Sequence, residues 1–482
     1  MKNKIIILAV AFLAAVSVVA VVFSNWIYEP RNVSTSDITG QQTIERRAVD
    51  AAIWGMPIVS MDAMRQAFFR DADAKYNDIV YWSEPSDWKT QLTTPNTTTY
   101  YVYFNFNTRE GPIVVEIPPA AEAGLFGSFI DAWQVPLIDV GPAGEDQGKG
   151  GKYLFLPPDF DGDVPPGYIV VRSQTYNGYA LFRAIPKSSS QADVDNAIAL
   201  VRAMRLYPMA QAGNPPEQRF VDMAGKLFDG IVRFDEGFYA SLARMVNEEP
   251  VLAQDMAMMG LVRSLGIEKG KEFKPDTATK RILAQSARNA HVWLMSELPN
   301  FITPFWPDSN WVVPITPVGP ETIFSFKHPN YLDIDARGVA YFFAFAPPKK
   351  FGTATFYLNA YKDANGNAFR GEKSYRLHVP AGVPVRQFWA LTLYDFETAG
   401  FIRNMPRAGV DSLDQGMKRN ADGSVDIYVG PKPPRGWEAN WIQTAYGHGW
   451  FPMFRFYGPE PSFFEKTWRL EEFKEINLKK DK

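Results

Sequence analysis

Residues 100–107 read YYVYFNFN, a run in which apolar side chains alternate with tyrosine or asparagine. In an extended chain, Val102, Phe104 and Phe106 fall on one face. This period of two predicts a strand with one buried face. Similar short runs follow, separated by proline and glycine turns, at 113–117, 127–133, 152–156, 168–172 and 179–184. Many short strands at this spacing are typical of a β-sandwich or barrel.

The second half of the chain repeats this pattern. Residues 113–118 read IVVEIP and residues 127–133 read GSFIDAW, whereas residues 375–380 read YRLHVP and residues 389–395 read WALTLYD. Each copy has a strand, a proline turn, a second strand and an aspartate, Asp131 or Asp395. The agreement continues to Phe182-Arg183 and Phe454-Arg455. The repeat predicts two β-sandwiches of similar topology.

A helical period separates the two copies. Ser190 followed by Asp193 resembles a capping box before an apolar stripe. Further helices are predicted at 217–230, 234–247, 250–265 and 276–297, an earlier one at 43–69 with a break near Pro57, and a strand at 339–343. The predicted organisation is an anchor or signal peptide at 1–28, a linker at 29–44, a sandwich at 45–186, a helical subdomain at 187–300 and a second sandwich at 301–475.

The N-terminus predicts export. Lys2 and Lys4 precede an uncharged, mostly apolar run at 5–23, close to the ~20 residues that span a bilayer. The lysines would stay inside, so the rest of the chain would be extracytoplasmic. An uncleaved anchor in the cytoplasmic membrane and a cleaved signal that leaves a periplasmic protein both remain open.

Composition excludes several classes of protein. The 482 residues exceed one ordinary core, and a net charge of −3 offers no electrostatic case for nucleic-acid binding. The absence of cysteine excludes disulfides and thiolate zinc sites. The four histidines have no metal-binding spacing, and the glycine-rich residues 144–152 lack that of a phosphate loop. We therefore predict no metal and no cofactor.

Several motifs resemble a known family. The runs PNTTTY at 95–100, GPIV at 111–114 and FIDAW at 129–133 resemble the domain of unknown function DUF1254. The runs FWALTLYD at 388–395, RNADGS at 419–424, NW at 440–441 and RFYGP at 455–459 resemble its usual partner, DUF1214. This resemblance implies two jelly-roll domains like those of large-virus capsid proteins, and no established reaction. Thr98 stands where the family has an aspartate.

The fold class expected from these observations is mainly β with a helical insert. It comprises two jelly-roll-like antiparallel β-sandwich domains and an N-terminal membrane helix.

Three residues are candidates for catalysis. Asp131 and Asp395 each end a predicted strand beside an aromatic residue, where burial can raise a carboxyl pKa enough for general-acid work. His448 lies in a glycine-rich loop among aromatics and could transfer protons. The alternative is that both aspartates accept backbone N–H bonds in turns and that His448 is a solvated turn residue.

Other residues are candidates for ligand binding. We expect a saccharide or envelope protein to dock on exposed aromatic and amide side chains, namely Asn96, Tyr100, Trp133, Tyr394, Trp441 and Trp450. Arginines on predicted strands call for neighbouring carboxylates or an anionic ligand, namely Arg172, Arg183, Arg376 and Arg455. Three functions stay open: an envelope binding protein, a carboxylate-dependent hydrolase of a glycan or other polymer, and a self-assembling homo-oligomeric structural protein.

Overall fold

The computed structural model describes residues 35–188, 190–314, 324–350 and 355–478, with side chains from residue 40 onward. The predicted membrane segment at 5–23 lies outside these residues. In the described ranges, no helix combines the length and apolar character needed to span a bilayer. Part of the predicted linker, residues 35–44, is helical. Arg47–Lys482 forms one compact unit.

Seven α-helices occur in the described ranges. They are α1 (Thr35–Arg70), α2 (Gln191–Arg202), α3 (Glu236–Glu248), α4 (Met256–Arg263), α5 (Thr277–Glu297), α6 (Ile334–Phe343) and α7 (Pro461–Phe464). Side chains that accept a backbone N–H cap several of them. The predicted Ser190 cap of α2 is confirmed, since its side chain accepts from the Asp193 N–H. Asp276 and Asp333 cap α5 and α6 in the same way.

The first half of the chain holds twelve of the described strands. They are β1 (Ile79–Tyr81), β2 (Thr90–Gln91), β3 (Tyr100–Asn107), β4 (Ile113–Ile117), β5 (Ala123–Asp131), β6 (Pro136–Val140), β7 (Gly151–Leu156), β8 (Ile169–Arg172), β9 (Asn177–Pro186), β10 (Arg205–Pro208), β11 (Phe220–Asp222) and β12 (Phe228–Asp229). The second half holds β13 (Thr303–Pro304), β14 (Trp311–Val313), β15 (Thr355–Ala360), β16 (Ser374–Val379), β17 (Val385–Asp395), β18 (Gly409–Asp411), β19 (Val425–Gly430), β20 (Trp441–Gln443), β21 (Trp450–Pro459) and β22 (Lys474–Ile476). The prediction of a mainly β protein is confirmed.

Each half pairs a six-stranded sheet with a four-stranded sheet. In the first half the strand orders are β11-β1-β3-β9-β5-β6 and β10-β4-β7-β8. In the second half they are β13-β14-β15-β21-β17-β18 and β20-β19-β16-β22. Apart from the outer strands β11 and β13, strands at matching positions occur in the same chain order, so the repeat seen in the sequence is a repeat of topology. The sheets are not purely antiparallel, because β7 pairs parallel with β8 and β19 with β20.

An apolar core fills the space between the two sheets of each half. In the first half it joins Phe104 and Phe182 of the larger sheet to Val115 and Phe155 of the smaller one. A second core occupies the other half and includes Leu391, Phe454 and Ile427. Strand β3 is buried on both faces, not on one as predicted, since Tyr103 is fully buried and packs edge-on against Phe68 of α1.

A cross-strand ion pair recurs at the same position of both smaller sheets. Glu116 on β4 faces Lys152 on β7, and their charged atoms lie 2.8 Å apart. His378 on β16 faces Asp426 on β19 in the matching register, with Nδ1 2.8 Å from the carboxylate. His378 therefore has a structural hydrogen-bond partner, Asp426, on the polar face of the sheet.

Three predicted elements are wrong. Residues 217–230 contain the short strands β11 and β12, which pair with the distant strands β1 and β2. Residues 339–343 end helix α6, whose described side chains from Ala336 onward are all buried. An apolar run buried on every side carries no periodicity that separates helix from strand. Helix α1 continues through Pro57, where a break was expected.

Candidate functional site

Asp395 and His448 form a hydrogen-bonded pair at the surface of the second half. Asp395 ends β17, and its Oδ1 accepts the N–H groups of Glu397 and Thr398 at 2.9 and 3.1 Å. Its Oδ2 lies 2.9 Å from Nδ1 of His448. The carboxylate is nearly buried, whereas the imidazole is 52% exposed. A fixed carboxylate thus orients a histidine that solvent can reach.

The pair defines the chemistry of the ring. An ionised carboxylate can only accept hydrogen bonds. Nδ1 of His448 therefore carries the proton and donates a hydrogen bond to Asp395. When His448 is neutral, its Nε2 is then the acceptor. Such a ring can accept a hydrogen bond from a ligand hydroxyl or remove a proton from it.

Close backbone packing holds the His448 loop. The N–H of Gly371 donates to the carbonyl of His448 at 2.8 Å, and the Thr444 hydroxyl donates to the carbonyl of Gly371 at 2.7 Å. A Cβ at position 371 would lie 1.8 Å from the Ala445 carbonyl oxygen. Only glycine fits there, so Gly371 sets how closely the two segments approach.

A second histidine supports the turn that carries Asp395. His291 of α5 lies with Nε2 2.7 Å from the carbonyl oxygen of Glu397. Its ring stacks on Phe234 at 4.3 Å. Burial lowers the pKa of His291, which favours the neutral ring in this apolar setting. His291 is thus a positioning residue that sequence patterns did not reveal.

The exposed neighbours of His448 are polar and aromatic. Tyr446 is 83% exposed, two residues before His448. Arg370 pairs with Gly449 in an isolated bridge, so it lies beside the loop. Its Nε is 3.3 Å from Glu372. We call Arg370, Tyr446 and His448 the His448 surface.

Asp131 ends β5 at the position that matches Asp395, but its setting differs. Its Oδ1 accepts the N–H groups of Trp133 and Val135 at 2.9 and 2.8 Å. The side chain is buried, and burial raises its pKa to about 7. The contacts of Asp131 are thus those of a buried turn residue, and those of Asp395 include a solvent-accessible histidine.

Most of the predicted ligand-binding residues are structural. Trp133, Tyr394 and Trp450 are 5%, 0% and 2% exposed, so they cannot form the exposed aromatic face that was expected. Asn96 is also buried, and its Oδ1 accepts from the N–H groups of Thr98 and Thr99. The aromatic rings of Trp133, Tyr394 and Trp450 lie next to strand ends, and other elements pack over them and bury them.

Two of the predicted ligand-binding residues are half-buried. Tyr100 packs at the edge of the first core, and Trp441 donates its Nε1–H to the Gly430 carbonyl at 2.9 Å. Tyr446 is an exposed aromatic residue two positions before His448 in the same glycine-containing loop. In the described ranges, no cluster of three metal-ligating side chains is found.

The fold and the site define a class: a mainly β protein built from two sheet pairs of matching topology, with a surface histidine held by a carboxylate. Comparison with family models then places the chain. Residues 76–208 match the protein of unknown function DUF1254, and residues 354–461 match the protein of unknown function DUF1214. Together they span half of the chain. The protein belongs to the family that joins these two domains.

A solved structure supports the fold. The VPA0106 protein from Vibrio parahaemolyticus is 17% identical, with a TM-score of 0.53 over 90% of this chain and 100% of that one. An uncharacterized protein from Burkholderia cenocepacia is 13% identical, with a TM-score of 0.40 over 93% of this chain and 98% of that one. No curated protein matches this chain.

Proposed function

We propose that this protein binds a saccharide, or a saccharide-bearing envelope partner, at the His448 surface. The observation that carries the proposal is the 2.9 Å hydrogen bond between Asp395 and the half-exposed imidazole of His448. A sugar hydroxyl can donate to Nε2 of such a ring, and its apolar face can lie on an exposed tyrosine. Arg370 adds donors at the rim.

The envelope location is part of the same proposal. The lysines before the apolar run at 5–23 favour an anchor or signal peptide, with residues 47–482 outside the cytoplasmic membrane. The matching strand orders of the two halves support the finer description of each half as a jelly roll. A glycan ligand suits both features, because glycans are abundant outside the membrane.

Thermal unfolding of the full-length protein in detergent tests this binding. Envelope glycan fragments are added one at a time, and a ligand at a hundredfold excess over its Kd should stabilise the folded form by about 2.7 kcal/mol. We expect His448→Ala and Tyr446→Ala to abolish the shift. Tyr331→Ala is the matched control, since Tyr331 is also an exposed tyrosine, at 58%, and is far from His448 in the sequence. An equal shift in all four proteins would refute binding at this surface.

Hydrolysis of a glycan is the second candidate, and the same pair favours it. His448 in its protonated form would give a proton to the leaving sugar oxygen as the glycosidic bond breaks. A water molecule would then add to the anomeric carbon of the resulting oxocarbenium ion and return a proton to His448. General acid–base catalysis contributes about 10²–10⁴-fold, so Asp395→Asn and His448→Gln should lower cleavage by that factor. Release of reducing ends distinguishes the candidates, because a binding protein releases none.

A further inference from the structure

Arg183 and Arg455 occupy matching central positions in the two larger sheets. Arg183 on β9 faces Tyr101 on β3, and Arg455 on β21 faces Tyr357 on β15. Each guanidinium lies over the tyrosine ring opposite it, at 5.6 and 5.3 Å. Both side chains point away from the cores, because their neighbours Phe182 and Phe454 point into them.

The two arginines meet at one place. Tyr101, whose ring lies under Arg183, accepts the Asn96 N–H at 2.9 Å, and Arg455 donates to the carbonyl of the adjacent Pro95 at 3.2 Å. The hydroxyl of Thr98, two residues after Asn96, lies 3.0 Å from that of Tyr457. Two cations and several phenol groups therefore share one polar cluster outside the cores.

Arg455 is fully engaged within this cluster. It is buried, and it donates to the Thr392 hydroxyl at 2.9 Å and to the carbonyls of Thr94 and Pro95 at 3.1 and 3.2 Å. It also donates to the Tyr394 hydroxyl. Its hydrogen bonds are satisfied by neutral groups, and its charge is left without an opposing carboxylate among the described residues.

Arg183 is not engaged in this way. It is half-buried, with its guanidinium between the rings of Tyr101 and Phe126 at 5.6 and 5.8 Å. Its Nε is buried without an acceptor in the part of the chain that the structure describes. A buried donor without a partner costs free energy, more so when it belongs to a charged group.

Among the residues that the structure describes, no carboxylate forms an ion pair with Arg183 or Arg455. Thr98, where the resemblance to DUF1254 expects an aspartate, contributes a hydroxyl that contacts Tyr457. The charge of Arg183 is therefore open to an anion from outside the chain, and its half-buried position gives solvent access.

We propose that Arg183, Thr98 and Tyr457 form a binding site for the carboxylate of a small molecule. Both Nη atoms of Arg455 are hydrogen-bonded, whereas the Nε of Arg183 has no acceptor among the described residues. A planar guanidinium can bind the two oxygens of a carboxylate. The hydroxyls of Thr98 and Tyr457 add donors, and the ring of Phe126 offers an apolar wall for the group that carries the carboxylate. This site is separate from the His448 surface.

Calorimetric titration of the full-length protein with acetate and benzoate, at constant ionic strength set by chloride, tests the site. We expect saturable binding, weakened at least about tenfold in Arg183→Gln, as loss of a charge-assisted hydrogen bond requires. Arg172→Gln, an exposed strand arginine of the same half, is the matched control and should bind as the native protein does. Binding that survives Arg183→Gln, or no saturable binding of either carboxylate, overturns the proposal. Binding of inorganic phosphate alone overturns the carboxylate assignment.

Thr98→Asp gives a second test that does not depend on the folding of an Arg183 variant. The new carboxylate would sit beside Tyr457 and act as an internal ligand. We expect a higher Tm than that of the native protein and a loss of the response to acetate. A variant with a lower Tm that still binds acetate with native affinity would contradict the site.

Discussion

Asp131 carries an ionisable group in a place where its charge is unfavourable. Its carboxylate is buried at the end of β5 and accepts two backbone N–H groups. Those bonds lower its pKa, yet burial outweighs them and raises the pKa to about 7. The turn needs the oxygen atoms of Asp131, and folding would cost less if the group were neutral.

Asp131→Asn should separate these two properties. The folded pKa of about 7 exceeds the value of roughly 3.9 expected in the unfolded chain, so between these values the folded state binds more protons. The free energy of unfolding therefore falls as pH rises through this window. Asparagine keeps the acceptor oxygen without the charge. We therefore expect the free energy of unfolding of Asp131→Asn to rise, relative to that of the native protein, by a few kcal/mol between pH 4 and pH 7.

Urea unfolding across that pH range measures the difference. Asp161→Asn, an exposed aspartate, controls for the removal of one negative charge. A difference between Asp131→Asn and the native protein that stays constant with pH would contradict the burial argument.

The crossing of helices α1 and α6 depends on a proline and a glycine. Pro57 lacks an N–H, so the Ile53 carbonyl has no helical donor four residues later. Gly338 of α6 lies against that carbonyl, and a Cβ there would be 2.9 Å from the oxygen. Arg337 donates to the adjacent Trp54 carbonyl at 3.2 Å. The site where helix α1 was expected to break is the site where α6 packs.

Gly338→Ala tests this packing. In an open helix, alanine is favoured over glycine by about 1 kcal/mol. At position 338 we expect the opposite, a destabilisation of about 1–3 kcal/mol, because the methyl group overpacks the helix contact. Gly260→Ala in α4 is the control, since nothing lies within 4 Å of its Cβ position, and it should stabilise the protein. Chemical unfolding measures both, and equal signs for the two variants would show that α1 and α6 do not meet in this way.

A buried ionic network ties distant parts of the molecule together. Arg65 of α1 contacts Asp62 of the same helix at 2.6 Å and Glu248 of α3 at 2.5 Å. It also donates to the side-chain oxygen of Asn177, at the start of β9, at 3.0 Å. Glu249 closes the network, accepting from the Asn177 N–H at 2.9 Å. Two helices and the central strand of the first larger sheet thus share one guanidinium.

Removing that guanidinium should weaken the whole unit. Arg65→Met keeps much of the volume but removes the cation of Glu248 and one of the two cations of Asp62, which also pairs with Arg244. Breaking a buried ion pair typically costs about 3–5 kcal/mol. Arg70→Met is the matched control on the same helix, because Arg70 pairs with Asp71 near the surface and such pairs contribute about 1 kcal/mol or less. Denaturant unfolding of both variants gives the comparison. Equal losses would mean that the network adds nothing beyond a surface ion pair.

Local patterns were enough to predict a large part of this architecture. The alternation in residues 100–107, its copy around Asp395 and the cap at Ser190 each depend on residues within a few positions of one another. Such patterns reflect backbone geometry, which is the same in every protein. They predicted strands such as β3, β4 and β7 and the repeated topology, and they singled out Asp395 and His448. The family followed from the resemblance of longer motifs.

Other features depend on contacts between residues far apart in the chain. The run at 339–343 is buried on all sides, so its sequence carries no period that separates helix from strand. Trp133, Tyr394 and Trp450 are core residues because other elements cover them. Asp395 and His448 are 53 residues apart, and they meet because β17 and β21 are paired and Gly371 lets the loop approach. Burial and pairing of this kind are properties of the packed chain, so no short window of sequence contains them.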